Sequence, residues 1–272
     1  MERIKQALER ARAEREGQAA ATPVASETVV PARPAPAGTQ TPPERVTYSQ
    51  TRHVEISATQ LRAQRVVSAF EPGAFTDAYK MLRTQVLQRL NENNWNVLAV
   101  TSPGTGEGKS LTALNLAISM AMEIGHTVLL VDANLRHPSL HEHLGLSGER
   151  GLSDYLLDDA PLNELFLRPE GIDYLTLLPA GRALHNSAEM LNSPKMSRLV
   201  TELKSRYAGR IVVFDLPPVL NAADAMAFAP YVDATLLVVE EGKTKRKEIQ
   251  HTLELLSGTN VLGTVLNKAS PH

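Results

Sequence analysis

The chain has no cysteine, no long apolar run and almost no surplus charge, and each absence removes a class of explanation. Without cysteine there is neither a disulfide framework nor a thiolate metal site. No stretch approaches the ~18 consecutive apolar residues of a membrane span, and the N-terminus lacks the apolar segment of a secretory signal. The expectation is a soluble, cytoplasmic protein whose membrane attachment, if any, comes through a partner. A formal net charge of −2 gives no global pull toward nucleic acid, and none is expected as a partner. No internal repeat is visible. What is present is 272 residues, 43% of them hydrophobic. That suffices for one domain of about 200 residues and a tail.

The tail divides in two. Residues 1–16 read as an amphipathic helix, with Ile4, Ala7, Leu8 and Ala11 on one stripe and mixed charges opposite. It is either a docking helix for a partner or a partly formed solvated helix, since ~15 residues are marginal alone. Residues 17–50 carry Pro23, Pro31, Pro34, Pro36, Pro42 and Pro43 among Ala, Thr and Gly. That composition predicts a disordered linker that cannot bury a core. The folded domain is expected over 51–272.

One stretch organises that domain. Val97-Leu98-Ala99-Val100 is a short apolar run with the character of a buried strand. Gly104, Thr105, Gly106, Glu107, Gly108, Lys109 and Ser110 follow. Leu111, Leu114, Ala117 and Ile118 then recur at helical spacing. Strand, glycine loop, Lys-Ser and helix is the context of a phosphate-binding loop. Glycines let successive backbone N–H groups turn inward around a phosphate, and the helix start adds its positive dipole end. Lys109 would reach the β- and γ-phosphates of ATP, and the Ser110 hydroxyl would ligate Mg²⁺. The strict G-x-x-x-x-G-K-[ST] pattern wants glycine where Pro103 stands, so the loop is a variant.

The remainder alternates. Phe75 to Leu90 is an amphipathic helix with Tyr79, Leu82, Val86 and Leu90 on one face and Asp77, Lys80 and Arg83 on another. Strands are expected at Val54–Ser57, Val128–Val131, Tyr174–Leu178, Ile211–Phe214, Thr235–Val239 and Val261–Leu266. Further helices are expected at Ala58–Arg65, Leu152–Leu157, Pro194–Arg206 and Thr244–Leu256. Continuous apolar strands separated by helices mean a mostly parallel sheet covered on both faces. The fold class is α/β, three-layered, with the ligand at the carboxyl ends of the strands. Two strands end in acids there. Asp215 is placed to hold Mg²⁺, as an acid after a buried strand does in phosphate-loop enzymes. Asp132 would supply a second metal contact or the nucleophile. Arg136 would meet phosphate charge or pair with an acid. His137, His141 and His143 do not share a helix face in ligand spacing, so no metal is expected on them.

The motifs TSPGTGEGKS, VLLVDANLRHPSL, GLSDYL, LPAG, SAEMLNSPKM, VVFDLPP, ADAMAFAPYVDATLLVV and VLGTVLNK occur in this order. Together they resemble the cytoplasmic domain of the bacterial tyrosine kinases of capsule and exopolysaccharide assembly, over roughly Thr76 to Lys268. The resemblance implies a phosphate-loop kinase fold, ATP and Mg²⁺ as cofactors, and transfer of the γ-phosphate to protein tyrosine. It makes Lys109, Asp132, Arg136 and Asp215 the catalytic set, with Gly104 to Leu111 around the phosphates and Asn267 at the adenine. It implies Ser110, Asp132 and Asp215 as metal ligands, a membrane adaptor of the chain-length-determinant type, and self-association through Asp77, Lys80 and Arg83.

Two departures stand out. The family's D-x-D-x-R carries Asn134 at its middle acid, and an amide cannot take up a tyrosine proton. The last tyrosine is Tyr231, with no tyrosine cluster after Leu266. A second reading is therefore an ATP-dependent regulator, or pseudokinase, of a polysaccharide assembly complex. The related partitioning and positioning ATPases carry a further lysine five residues before the loop lysine, where this chain has Gly104.

Overall fold

The computed structural model describes residues 51–66, 73–123, 125–205 and 209–269. The helix and linker expected over 1–50 lie outside them. The described chain runs β1 (Arg52–Val54), α1 (Ala58–Ala63), α2 (Ala74–Glu92), β2 (Val97–Thr101), α3 (Lys109–Ala121) and β3 (Thr127–Asp132). It continues through α4 (Leu140–Leu144), α5 (Leu152–Asp158), α6 (Leu162–Leu165), β4 (Leu167–Pro169) and β5 (Leu175–Leu178). Then come α7 (Ser187–Leu191), α8 (Pro194–Ser205), β6 (Arg210–Asp215), α9 (Asp224–Phe228) and a 3₁₀ turn at Ala229–Tyr231. The chain finishes with β7 (Ala234–Glu240), α10 (Arg246–Leu255) and β8 (Val261–Asn267).

The strands form one sheet in the order β1-β4-β5-β3-β6-β2-β7-β8. Every pairing is parallel except β4 with β5. Each central strand is buried along its length, as two covered faces require. Alternate residues feed two cores. Leu98, Val100, Val128, Leu130 and Val213 pack on one face with Val86, Leu90, Leu114 and Ile118. Val97, Ala99, Leu129, Val131 and Phe214 pack on the other with Leu199, Val200, Leu203 and Phe228. Replacing a fully buried core residue such as Phe214 by alanine costs about 3–5 kcal/mol.

Helix α3 is buried on nearly every side. It lies between the sheet and α2, so its sequence is apolar all round rather than striped. Tyr79 of α2 hydrogen-bonds to Thr112 and Asn115 of α3, and burial pushes its hydroxyl pKa up. Arg83 also turns inward, donating to the Ser119 carbonyl at 3.0 Å and pairing with Glu123. The charged face read along α2 is therefore divided: Asp77 and Lys80 pair with each other on the surface, whereas Arg83 ties the helix to the body of the domain.

Some boundaries moved for physical reasons. The first strand is Arg52–Val54 rather than Val54–Ser57, ending where Ser57 precedes α1. Helix α10 starts at Arg246 rather than Thr244. Thr244 is engaged by its hydroxyl, and Glu248 accepts the Lys245 N–H at 2.8 Å, which fixes the helix start there. Strand β4 and the short helices α4, α6, α7 and α9 were not anticipated.

Candidate active site

β2 delivers the chain to the loop at the carboxyl ends of the strands, between β6 and β7. Gly106 and Gly108 have φ of +75° and +93°, the region open to glycine. At Gly108 the demand is double, because an added Cβ would stand 2.1 Å from Asn267 Nδ2. That amide nitrogen donates to the Glu107 carbonyl at 2.9 Å, so the end of β8 is fastened to the outer side of the loop. The Glu107 carboxylate is buried. It accepts the Gly104 N–H at 2.9 Å and the Thr244 hydroxyl. Glu107 and Gly104 thus brace the loop, and the Gly104 N–H is already used. Lys243 donates to the Thr105 carbonyl and Lys268 to the Gly106 carbonyl, both pairing with Glu240.

Lys109 begins α3. Its ammonium lies 2.7 Å from Ser110 Oγ and 3.3 Å and 3.5 Å from the two Asp215 carboxylate oxygens. Asp215 is fully buried and stands in register with Asp132 on the adjacent strand, itself fully buried. Asp132 Oδ2 accepts the Ser139 and Leu140 N–H groups, each at 3.1 Å, and Oδ1 accepts the Asn134 N–H at 3.2 Å. Burial, and then the neighbouring Asp215 charge, push the Asp132 carboxyl up to about 7. The two backbone donors and Lys109 oppose that rise.

Further positive charge at this point would let both buried carboxyls ionise beside the one ammonium. The donor set of Asp132, Asp215 and the Ser110 hydroxyl is all oxygen, which suits a hard cation such as Mg²⁺. Among the described residues no group of three or more His, Cys, Asp or Glu could hold a metal by itself. A metal here must complete its shell with phosphate oxygens and water, as Mg²⁺ does in nucleotide sites. Ser110 and Asp215 would exchange their Lys109 contacts for it, whereas Asp132 is already held by three backbone N–H groups.

Asn134 donates from Nδ2 to the His137 carbonyl at 2.6 Å, and its Oδ1 is buried without a hydrogen-bond partner. His141 and His143 lie on α4. Burial lowers the His143 pKa, against the pull of Asp215 and Glu142. The Arg136 guanidinium faces Asp224 at 3.7 Å. The structure therefore gathers Lys109, Ser110, Asp132 and Asp215 at one point, with Asn134 joined to Asp132 and Arg136 turned to an acid. Asp224 is fully buried, and in the sequence only the apolar residues around it signal that.

A phosphate loop on a parallel sheet, with its lysine facing a strand-end carboxylate, defines a nucleotide-binding protein of the phosphate-loop class. Residues 95–255 match the family described as AAA domain. Tyrosine-protein kinase YwqD of Bacillus subtilis (strain 168) is 33% identical over 217 residues, 78% of this chain and 90% of YwqD. Succinoglycan biosynthesis transport protein ExoP of Rhizobium meliloti (strain 1021) is 34% identical over 217 residues, which are 76% of this chain and 26% of ExoP. The kinase domain of Escherichia coli tyrosine kinase ETK superposes with a TM-score of 0.68 at 28% identity, covering 76% of this chain and 82% of that one. The chain belongs to the bacterial tyrosine kinase family.

Proposed function

We propose that the protein binds ATP with Mg²⁺ and transfers the γ-phosphoryl group to protein tyrosine, regulating exopolysaccharide or capsule synthesis and export. One observation carries the reading: the Lys109 ammonium sits between the Ser110 hydroxyl and the Asp215 carboxylate, at the start of α3 behind two left-handed glycines. Backbone N–H groups from Thr105 to Leu111 hold the phosphates. Lys109 neutralises charge on the β- and γ-oxygens, and Ser110 and Asp215 hold the metal, with Asp132 adding charge. Bound Mg²⁺ supplies charge neutralisation at the phosphate oxygens. The tyrosine oxygen forms the new bond to the γ-phosphorus, the bond from that phosphorus to the β,γ-bridging oxygen breaks, ADP leaves, and the phenolic proton passes to solvent, since the Asn134 amide cannot take it. Asn267, already against the loop, lies on the adenine side.

The protein works at the cytoplasmic face of the membrane with an adaptor of the chain-length-determinant type. Support comes from the relatives: the matched region is nearly all of YwqD but about a quarter of the transport protein ExoP. Among the described residues no helix is long and apolar enough to cross a membrane, which agrees with recruitment by a partner. Copies of the chain associate through the outer face of α2, where Phe75 and Met81 are 76% and 64% exposed beside Asp77 and Lys80.

A second reading, nucleotide-dependent switching with weak or no transfer, is favoured by Asn134. An amide stands where the family places an acid, and it is engaged with the His137 carbonyl. The experiment is phosphotyrosine detection on the full chain with ATP·Mg²⁺, with and without the adaptor's cytoplasmic segment. Phosphotyrosine that depends on Lys109 supports transfer; bound ATP without it supports the switch.

A further inference from the structure

Asp224 is 0% exposed, and neither of its carboxylate oxygens has a hydrogen-bond partner. Asp132, equally buried, accepts three backbone N–H groups. A carboxylate out of water without donors is costly, and such groups in folded proteins call for an explanation. Its partner is Arg136, whose Nη2 lies 3.7 Å from Oδ2: an ion pair, but longer than a hydrogen bond.

Both backbones are held. The segment leading to Asp224 crosses the phosphate loop, with Val219 and Leu220 N–H groups donating to the Ser102 and Pro103 carbonyls. Helix α9 is then locked by Phe228, fully buried with its ring centroid 4.8 Å from that of Phe214. On the other side, Ala133 donates to the Asp215 carbonyl, and the Leu135 carbonyl accepts the Leu184 N–H at 2.8 Å. The Arg136 side chain, 41% exposed, is the solvent-facing member of the pair. A buried acid therefore faces a half-exposed guanidinium beyond the carboxyl ends of two adjacent strands, β3 and β6.

We infer that Asp224 is a positioning residue, whose buried carboxylate holds Arg136 at the strand ends where the guanidinium meets the terminal phosphate of ATP. The inference rests on the nucleotide-binding reading above and adds Arg136 to the groups that face the phosphates in it. An unsolvated acid that is kept for function costs stability. Removing its charge should therefore weaken phosphate discrimination without weakening the fold, whereas a merely structural ion pair behaves the other way.

The test uses the full chain as parent, Asp224→Asn, Arg136→Ala and the double variant. Calorimetry with ATP·Mg²⁺ and with ADP·Mg²⁺ gives the ratio of the two dissociation constants, and thermal melts are recorded without nucleotide. In the parent ATP should bind more tightly than ADP. Asp224→Asn and Arg136→Ala should each reduce that preference by about tenfold, the scale of one charge-assisted contact. The double variant should lose no more than either single one, because the two residues act as a unit. Asp224→Asn should keep the parental Tm or raise it by about 2–4 °C. An unchanged ATP-over-ADP preference in either single variant overturns the inference, as does no preference in the parent, multiplicative loss in the double variant, or an Asp224→Asn protein that melts lower or fails to fold. Failure of the kinase reading is separate: the ratios then behave as stated but the parent forms no phosphotyrosine.

Discussion

Replacing Gly108 by alanine tests how the phosphate loop is built. Two costs can be read from the structure. Gly108 has φ +93°, and a residue with a Cβ pays about 1–2 kcal/mol in left-handed backbone. The new Cβ also falls 2.1 Å from Asn267 Nδ2, so the amide must leave and its hydrogen bond to the Glu107 carbonyl is lost. That bond is worth about 1 kcal/mol. The sum is about 2–3 kcal/mol, or a fall in Tm of roughly 4–12 °C for a domain of this size. Asn267→Ala alone removes only the hydrogen bond and should cost about 1 kcal/mol. In the double variant the clash is gone, so the loss should fall short of the sum of the singles by about 1 kcal/mol. Thermal or urea unfolding of the four proteins measures this. Strictly additive losses would refute the claim that the end of β8 is packed against the loop.

Further outcomes follow from particular side chains. An aspartate in an unfolded chain ionises near 3.9, whereas Asp132 keeps its proton up to about 7. The folded state binds the extra proton in between, so its contribution to stability is full below about pH 4 and is lost as pH rises through about 7. Melts of the parent should therefore decline between about pH 4 and pH 7 relative to Asp132→Asn; parallel curves would contradict the assignment. Lys80→Glu combined with Met81→Glu should lower the mass seen by light scattering while leaving the Tm near that of the parent. Arg83→Ala should instead lower the Tm, because Arg83 braces α2 against Ser119 and Glu123. Deleting residues 1–45 should leave ATP binding intact by calorimetry, and a deletion that unfolds the domain would place that segment in the core.

The elements that carry the chemistry were legible because their residue types leave few alternatives. Val97–Val100 and Val128–Val131 are too short and too apolar for surface helices. The glycines before Lys109 fit one kind of turn, and acids directly after buried strands mark strand ends at a crevice. Strand β4 was hidden because Leu167-Arg168-Pro169 holds a proline and has only a single antiparallel register pair with β5. The inward turn of Arg83 was hidden because its three-residue rhythm with Asp77 and Lys80 is also that of a solvated face; only the arrival of α3 decides which charges stay outside. The bracing of the loop by Glu107 and Thr244 joins residues far apart in the chain, and nothing local announces it. Asp224 shows the same limit, since an acid at the head of a short helix reads as a surface cap until the packing of Phe228 buries it.

The central claim is that this site carries γ-phosphate from ATP to tyrosine, and phosphotyrosine formation tests it most directly. The full chain, Lys109→Met and Asn134→Asp would each be incubated with ATP·Mg²⁺, a tyrosine peptide and the adaptor's cytoplasmic segment. The account predicts phosphotyrosine in the parent, none in Lys109→Met, and a gain of about tenfold or more in Asn134→Asp, where a carboxylate can again take the phenolic proton. Bound ATP with no phosphotyrosine in either the parent or Asn134→Asp would contradict it.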